Sequence, residues 1–215
     1  MSYSLPDGSK LFLGITFGSP ITVSAVTNAD PANATATAHG QTLGTVFIFN
    51  SGWEDADGRV FRVANPTTNN FDVEGLDASS TSLYSAGTGT GTIVPVTAWQ
   101  EIQQVLNPTT SGGEQQYVTV SPLARRNDIQ IPSNISAMSM SIPIGDDPTL
   151  AGYQAVKLAA DNRELRPLKI LKPNGNVTYF YGYVGFNEVA SFSKGQVDTV
   201  TASFAMQGLP TKYTS

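Results

Sequence analysis

The sequence predicts a mainly β protein with a single helix. Short runs of β-branched and aromatic residues alternate with turn signals along the whole chain, and only one segment combines a helical start signal with helical periodicity. The composition agrees: there are 20 glycines and 13 prolines, and charged residues make up 13% of the chain, about half of the usual ~25%. Small polar residues take their place. Such a surface suits β structure and extensive burial against partners, and it covers a monomer equally well.

The first half of the chain predicts a short strand followed by a small barrel. Residues 10–16 form an apolar run after the turn sequence Pro6-Asp7-Gly8. Five further β-type runs follow in the interval 21–96, and strands of this length separated by turns suggest a small β-barrel. The five runs are 21–26, 45–49, 59–64, 70–74 and 92–96.

The second half predicts longer strands and the helix. The helix is expected at about 148–161, because Asp146 and Asp147 offer an acidic N-cap and Pro148 fits the first turn. A polar connection is expected at 122–132, and the tail 208–215 is expected to be mobile. The predicted strands are 115–120, 135–144, 168–171, 177–183, 186–192 and 197–206.

The charge distribution divides the chain in the same way. Residues 20–96 contain seven acids and two bases, which accounts for the whole net charge of −5, whereas the remainder is neutral. We therefore predict two domains: a core made of 1–19 and 97–215, and an inserted small β-barrel at 20–96. The chain has no broad basic face for tight nucleic-acid binding.

Several classes of function are disfavoured by the residues present. The chain has no cysteine and one histidine, His39, in a turn-like context without a neighbouring acid or nucleophile. The pair Asp55 and Asp57 is too closely spaced for a hydrolase, and it lacks the rest of a calcium loop. We expect no enzymatic activity, no catalytic residue, no metal and no cofactor. Trp53 is the residue that would favour a carbohydrate-binding alternative, although a core or loop anchor is the simpler interpretation.

Five segments carry a resemblance to the tail tube proteins of long-tailed, non-contractile phages. In addition, residues 21–96 are similar to a small SH3-like β-barrel module that recurs in phage tail proteins. The tube resemblance covers about residues 4–18 and 99–213. The five segments are Ser-Gly-Gly-Glu-Gln-Gln-Tyr at 111–117, Asp-Asp-Pro at 146–148, Asn-Val-Thr-Tyr-Phe-Tyr-Gly-Tyr at 176–183, Ser-Lys-Gly-Gln at 193–196 and Thr-Ala-Ser-Phe at 201–204.

The resemblance implies a tail-tube-type antiparallel β-sandwich or half-barrel with the inserted barrel projecting outward. It also implies a virion subunit that assembles with itself into stacked six-membered rings around a channel for double-stranded DNA. Tape measure, tail terminator and distal tail proteins are the implied partners. A pyocin or secretion-type tube and a receptor-binding or carbohydrate-binding tail-tip module remain alternatives. Residues 1–6 lack the basic and apolar parts of a signal peptide, and no apolar run reaches membrane length, so we expect cytoplasmic assembly and no membrane partner.

Two groups of residues are candidates for functional contacts. The longer polar stretch from 107 to 132 has the composition of a segment that becomes ordered against the next ring. We predict contacts there by Gly112, Gly113, Arg125, Arg126 and Asp128. For the channel wall, weakly charged polar residues on strands 115–120 and 197–206 would avoid tight DNA binding. The candidate acids for that wall are Glu188 and Asp198.

Overall fold

The computed structural model describes residues 7–214, so the first six residues of the predicted core lie outside it. These residues form sixteen strands and one helix. The elements are β1 Lys10–Phe17, β2 Ile21–Val23, β3 Ala25–Val26, β4 Ala32–Thr35, β5 Val46–Ser51, β6 Arg59–Ala64, β7 Asn70–Glu74, β8 Gly91–Ile102, β9 Thr109–Ser111, β10 Gln115–Val120, β11 Ile129–Ile135, β12 Ser139–Gly145, α1 Ala151–Asp161, β13 Leu165–Leu171, β14 Val177–Ser191, β15 Thr199–Met206 and β16 Thr211–Tyr213.

The fold is mainly β, as predicted, and is built on one curled antiparallel sheet of fourteen strands. The strand order is β3-β4-β7-β6-β5-β8-β1-β13-β14-β15-β12-β9, with β16 added to β14 and β2 added to β8. Strands β10 and β11 pair only with each other, as a separate hairpin. Beyond β8 the chain pairs with β12 through a Val105–Ile144 bridge, which curls the second half of the sheet into a half-barrel.

The first half of the described chain has its own aromatic core. Strand β2 pairs with β8, and β3 pairs with β4. Because β2 and β3 are separated by one residue, the strands from β2 to β8 form a closed series of neighbours. Trp53, Phe47 and Phe61 are among the largest fully buried side chains inside it. Aromatic rings meet edge to face in this core, with Phe47 and Phe71 centroids 5.6 Å apart, an arrangement that adds to the area they bury.

The second half packs the helix against one face of the half-barrel. Along β15 every second residue is buried, and its buried side chains join those of β12 and α1 in one cluster. Tyr153, Val156 and Ala159 form the buried stripe of the helix. This cluster also contains Leu168, Val184 and Phe204.

A third cluster joins the two cores. It contains Ile48 and Val60 from the first half and Tyr179 and Tyr213 from the second. Strand β8 also crosses the predicted boundary at residue 96 without interruption. The division into domains 1–19 plus 97–215 and 20–96 therefore stays a prediction.

The predicted helix start was wrong by three residues. The helix begins at Ala151, its N-cap position is Leu150, and no side chain caps it. Asp147 accepts hydrogen bonds from the backbone N–H of Thr149 at 3.0 Å and from its hydroxyl at 2.6 Å. The aspartate thus forms a local turn, which competes with capping. The predicted end is confirmed, with Asn162 as the C-cap. This helix has 11 residues, too few to cross a bilayer, and residues 7–214 contain no longer one.

Four other sequence-based expectations change. The predicted polar connection at 122–132 contains the start of strand β11, and the single strand predicted at 135–144 is divided between β11 and β12. The strands predicted at 177–183 and 186–192 are one, β14. The tail is ordered as far as residue 214: β16 pairs with β14, and Tyr213 is buried.

Candidate assembly surfaces

The hairpin β10–β11 is an arm that projects from the sheet. We define the arm as residues 114–136; its strands pair from Gln115–Ile135 to Val120–Ile129. Every residue of both strands is exposed. A two-stranded hairpin without a covered face is marginally stable in water, so the arm is the part of the described chain that most needs a partner.

The arm has one apolar face and one mixed face, which carries Tyr117 opposite Pro132. Residues directly opposite each other on antiparallel strands share a face, and the register pairs Val118 with Ile131 and Val120 with Ile129. These four side chains retain between 36% and 55% of their surface exposed. The next pair, Thr119 with Gln130, lies on the other face. Burial of the apolar face by a partner would stabilise the arm.

The predicted contact residues lie at the two ends of the arm. Gly112 and Gly113 are at its base with φ of +79° and +81°. A Cβ on Gly112 would come within 1.9 Å of the carbonyl oxygen of Ala137, so the base requires glycine there. Arg125 and Arg126 are exposed at the tip, and neither forms an ion pair within residues 7–214.

The tip itself is a tight turn with an exposed leucine. Asp128 accepts a hydrogen bond from the hydroxyl of Ser121 at 2.7 Å, and the N–H of Arg125 donates to the carbonyl of Pro122 at 3.0 Å. Leu123 is wholly exposed. The contact roles of these residues remain predictions; their position at the end of an unpartnered arm is the structural fact.

A second exposed apolar surface lies at the end of the hairpin formed by β14 and β15. We call residues 189–198 the β14–β15 tip. Val189, Phe192 and Val197 have 78%, 77% and 69% of their surface exposed. Beside them a depression of about 390 Å³ is lined by Leu106, Pro143 and Val197, together with polar loop residues.

The two acids predicted for the channel wall both lie near this tip. Glu188 forms an ion pair with Lys157 of the helix, so its carboxylate is on the helix-bearing face of the sheet. Asp198 is exposed, and its carbonyl accepts a hydrogen bond from the N–H of Asp146 at 3.0 Å. This bond joins the backbones of two acidic residues that are distant in the sequence, and the Asp146 carboxylate accepts a hydrogen bond from the Tyr153 hydroxyl at 3.4 Å.

The face of the half-barrel opposite the helix is lined by small hydroxyl side chains across three neighbouring strands. In the register, Ser141 of β12 lies opposite Ser203 of β15 and Thr109 of β9. The hydroxyls of Ser111 and Ser139 are 2.8 Å apart. We call this set the hydroxyl face. It contains no charged residue, and its members are Thr109, Ser111, Ser139, Ser141, Thr201 and Ser203.

Residues considered for chemistry have structural roles. Trp53 is 2% exposed and donates its indole N–H to the carbonyl of Ser85 at 2.8 Å, so it is not available for sugar binding. The Nδ1 of buried His39 accepts the N–H of Gln41 at 3.0 Å, and its ring lies edge-on to Phe71. Residues 7–214 hold no group of three or more His, Asp or Glu side chains placed for a metal ion.

The curled sheet, the uncharged hydroxyl face and the exposed arm, without any assembled catalytic or metal site among residues 7–214, are typical of a β-rich structural protein. Residues 51–215 match the family of phage tail tube proteins (TTP). The chain therefore belongs to that family. This is a family of structural proteins of the virion tail, and the expectations of a tail subunit without enzymatic activity are confirmed by it. The match begins within the predicted inserted barrel and so does not separate that region from the core.

Two solved structures resemble the chain at low similarity. One, from the virion of a native gene transfer agent particle, has a TM-score of 0.41 and 12% identity, and the match covers 54% of this chain and 88% of that one. The other, from the tail of an empty gene transfer agent particle with C6 symmetry, has a TM-score of 0.40 and 11% identity, with coverages of 54% and 86%. No curated protein sequence matches the chain.

Proposed function

We propose that the protein assembles into closed rings of six copies that stack into the hollow tail tube of a non-contractile phage. Membership of the tail tube family supports the tube, and the ring number comes from the resemblance. The observation that carries the proposal is the arm, whose apolar face of Val118, Val120, Ile129 and Ile131 is left uncovered by the rest of residues 7–214. Burial of such a face in a neighbouring copy removes apolar surface from water, at about 25 cal/mol for each Å².

The hydroxyl face is the surface best suited to the channel wall. Double-stranded DNA binds proteins mainly through cations placed against its phosphates, and each such contact strengthens the binding. Thr201 and Ser203 of β15, with Ser139 and Ser141 of β12, offer hydroxyls and no cation. A wall of this kind hydrates the passing DNA and does not retain it. In this arrangement the tube supports genome ejection.

The remaining parts of the proposal follow from this arrangement. Residues 20–96 form an inserted β-barrel that projects outward, since they carry a net charge of −5 and have their own aromatic core. Tape measure, tail terminator and distal tail proteins complete the tail around and at the ends of the tube. A pyocin-type or secretion-type tube would use the same assembly surfaces.

Imaging of the purified protein tests the proposal. The expected result is rings or tubes in negative stain that appear as the protein concentration rises, with six-fold symmetry in averaged end views. The matched variant lacks the arm, with residues 114–136 replaced by a short Gly-Ser linker. It should remain a folded monomer. A wild-type protein that stays monomeric at high concentration, or an armless variant that forms normal tubes, would contradict the proposal.

A further inference from the structure

The two unpartnered apolar surfaces lie at opposite ends of the same strands. The arm connects β9 to β12 and leaves the sheet where Ser139 pairs with Ser111 and Ala205. At the other end of β12, Gly145 pairs with Thr199, the first residue after the β14–β15 tip. Seven residues of β12 separate the ends, roughly 23 Å at about 3.3 Å per residue. The subunit therefore presents an arm at one end and a second apolar surface at the other.

The charges at the two ends are complementary. The arm tip carries Arg125 and Arg126, which form no ion pair within residues 7–214. With Asp128 the net charge of the tip is +1. The opposite end carries the exposed Asp146 and Asp198, whose backbones are joined by a 3.0 Å hydrogen bond. Together with Lys194 of the β14–β15 tip they give this end a net charge of −1. Attraction between these ends favours one orientation of two copies, head to tail, and disfavours the contact of two like ends.

We propose that the β14–β15 tip is the docking site for the arm of a copy in the adjacent ring. Leu123 enters the depression lined by Leu106, Pro143 and Val197, and the two tip arginines face Asp146 and Asp198. This inference rests on the proposed stacking of rings and adds the acceptor site to it. It assigns Asp198 to the contact between rings, in place of the channel wall predicted from the sequence.

The geometry explains why such a contact builds a tube. A contact between two different surfaces of the same subunit leaves one surface of each kind free at every stage of growth, so it produces an open-ended stack. The arm's apolar side chains and the tip's Val189 and Phe192 are covered in the same step. Before docking, the arm has only its own cross-strand hydrogen bonds, and ordering by the partner couples its folding to assembly.

Cysteine cross-linking in assembled tubes tests the acceptor site, because the chain has no cysteine of its own. In a Leu123→Cys/Val197→Cys variant, oxidation should join each arm to the next subunit along the stack. Denaturing gels should then show a ladder of covalent multimers that extends well beyond dimer. The matched control is Leu123→Cys/Leu43→Cys, since Leu43 is 71% exposed but lies between β4 and β5, far along the chain from the tip. It should give no ladder.

The outcomes separate the acceptor site from the proposed function. Wild-type tubes together with a ladder in the Val197 pair alone support the site. Wild-type tubes with no ladder, or with an equal ladder in the control, overturn the site but leave tube formation intact. Failure of the wild-type protein to form tubes overturns the proposed function and the site with it.

A charge exchange provides the second test. Arg125→Glu/Arg126→Glu should block tube growth, and so should Asp146→Lys/Asp198→Lys. The variant that combines all four substitutions should recover at least half of the wild-type tube length, because the two ends are complementary again. Circular dichroism of each variant checks that it is folded. Normal tubes from either double variant, or no recovery in the folded four-fold variant, would overturn the proposed pairing of charges.

Discussion

At the scale of single residues, Tyr213 does the most to join the two halves of the molecule. Its hydroxyl donates to the carbonyl of Glu74 at 2.7 Å and accepts the backbone N–H of Arg62 at 3.0 Å. The guanidinium of Arg62 lies 3.9 Å from the centre of its ring and pairs with the Glu74 carboxylate through two hydrogen bonds. A residue two positions from the end of the chain thus holds strands β6 and β7 against the core.

We expect Tyr213→Phe to lower the free energy of unfolding by about 1–3 kcal/mol, because a backbone donor and a backbone acceptor lose their partner in a buried place. For a chain of this size, each kcal/mol corresponds to about 2–4 °C in Tm. Denaturant and thermal unfolding of the monomer measure the change. The matched control is Tyr183→Phe, whose ring is 45% exposed. An equal loss in both variants would mean that the hydroxyl contacts at Tyr213 add no stability.

The buried tyrosines also predict how stability depends on pH. Burial raises the pKa of Tyr84, Tyr179, Tyr181 and Tyr213 above the ordinary value, which is about 10. A group with a raised pKa in the folded state stabilises fully below its unfolded value, and this contribution is lost as the pH rises towards the folded value.

The free energy of unfolding should therefore be lower at pH 11 than at pH 8, and the difference should be smaller in Tyr213→Phe. Urea unfolding of monomer at the two pH values measures it. Equal stability of the wild-type protein at both values would contradict the account.

At the scale of elements, local pattern predicts strands well where the partner is near in sequence. Strands β6 and β7 have the predicted bounds, since alternation and a turn define both together. Strand β16 was missed because three residues carry no period, and its partner β14 lies more than thirty residues earlier. The helix start was missed because the carboxylate of Asp147 accepts a hydrogen bond from the N–H of Thr149. It therefore does not cap the first turn of the helix. A pattern read over a short stretch of sequence shows neither the contacts between distant segments nor the local hydrogen bonds that compete with helix capping.

The candidate surfaces were predicted in part. The composition of residues 107–132 drew attention to the arm, and the glycines and arginines singled out there lie at its base and tip. Its hairpin form was missed, because the β-type residues of β11 sit within a polar stretch. The polar side of β15, with Thr201 and Ser203, was expected from the sequence. Its continuation across β12 and β9 and the surroundings of the β14–β15 tip depend on which strands are neighbours, and no spacing in the sequence contains that information.

The arm should fold fully only on assembly. In the monomer, the amides of Val118, Val120, Ile129 and Ile131 should exchange hydrogen within seconds, because an uncovered hairpin opens often. In tubes they should be protected at least a hundredfold more. Hydrogen exchange read by mass spectrometry measures both states, and peptides from β6 serve as the internal control, which should change little. Equal protection of the arm in monomer and tube would show that it is not at an interface.

At the scale of the whole molecule, apolar, charged and uncharged polar residues are concentrated in different regions. The aromatic core and the acidic charge are concentrated in residues 20–96. The helix side of the half-barrel holds the second core, and on the opposite side β9, β12 and β15 present uncharged hydroxyls. The ends of the strands carry the apolar and charged groups that a neighbouring copy can cover. This separation is what a subunit needs if it is to stack, enclose a channel and leave that channel free of cations.

The most direct test of this account is a cryo-electron microscopy reconstruction of tubes grown from the wild-type protein. The account predicts a hollow tube in which Thr201, Ser203 and Ser141 face the lumen and each arm lies against a subunit of the adjacent ring. Absence of tubes, or a tube with the hydroxyl face on its outer surface, would contradict it.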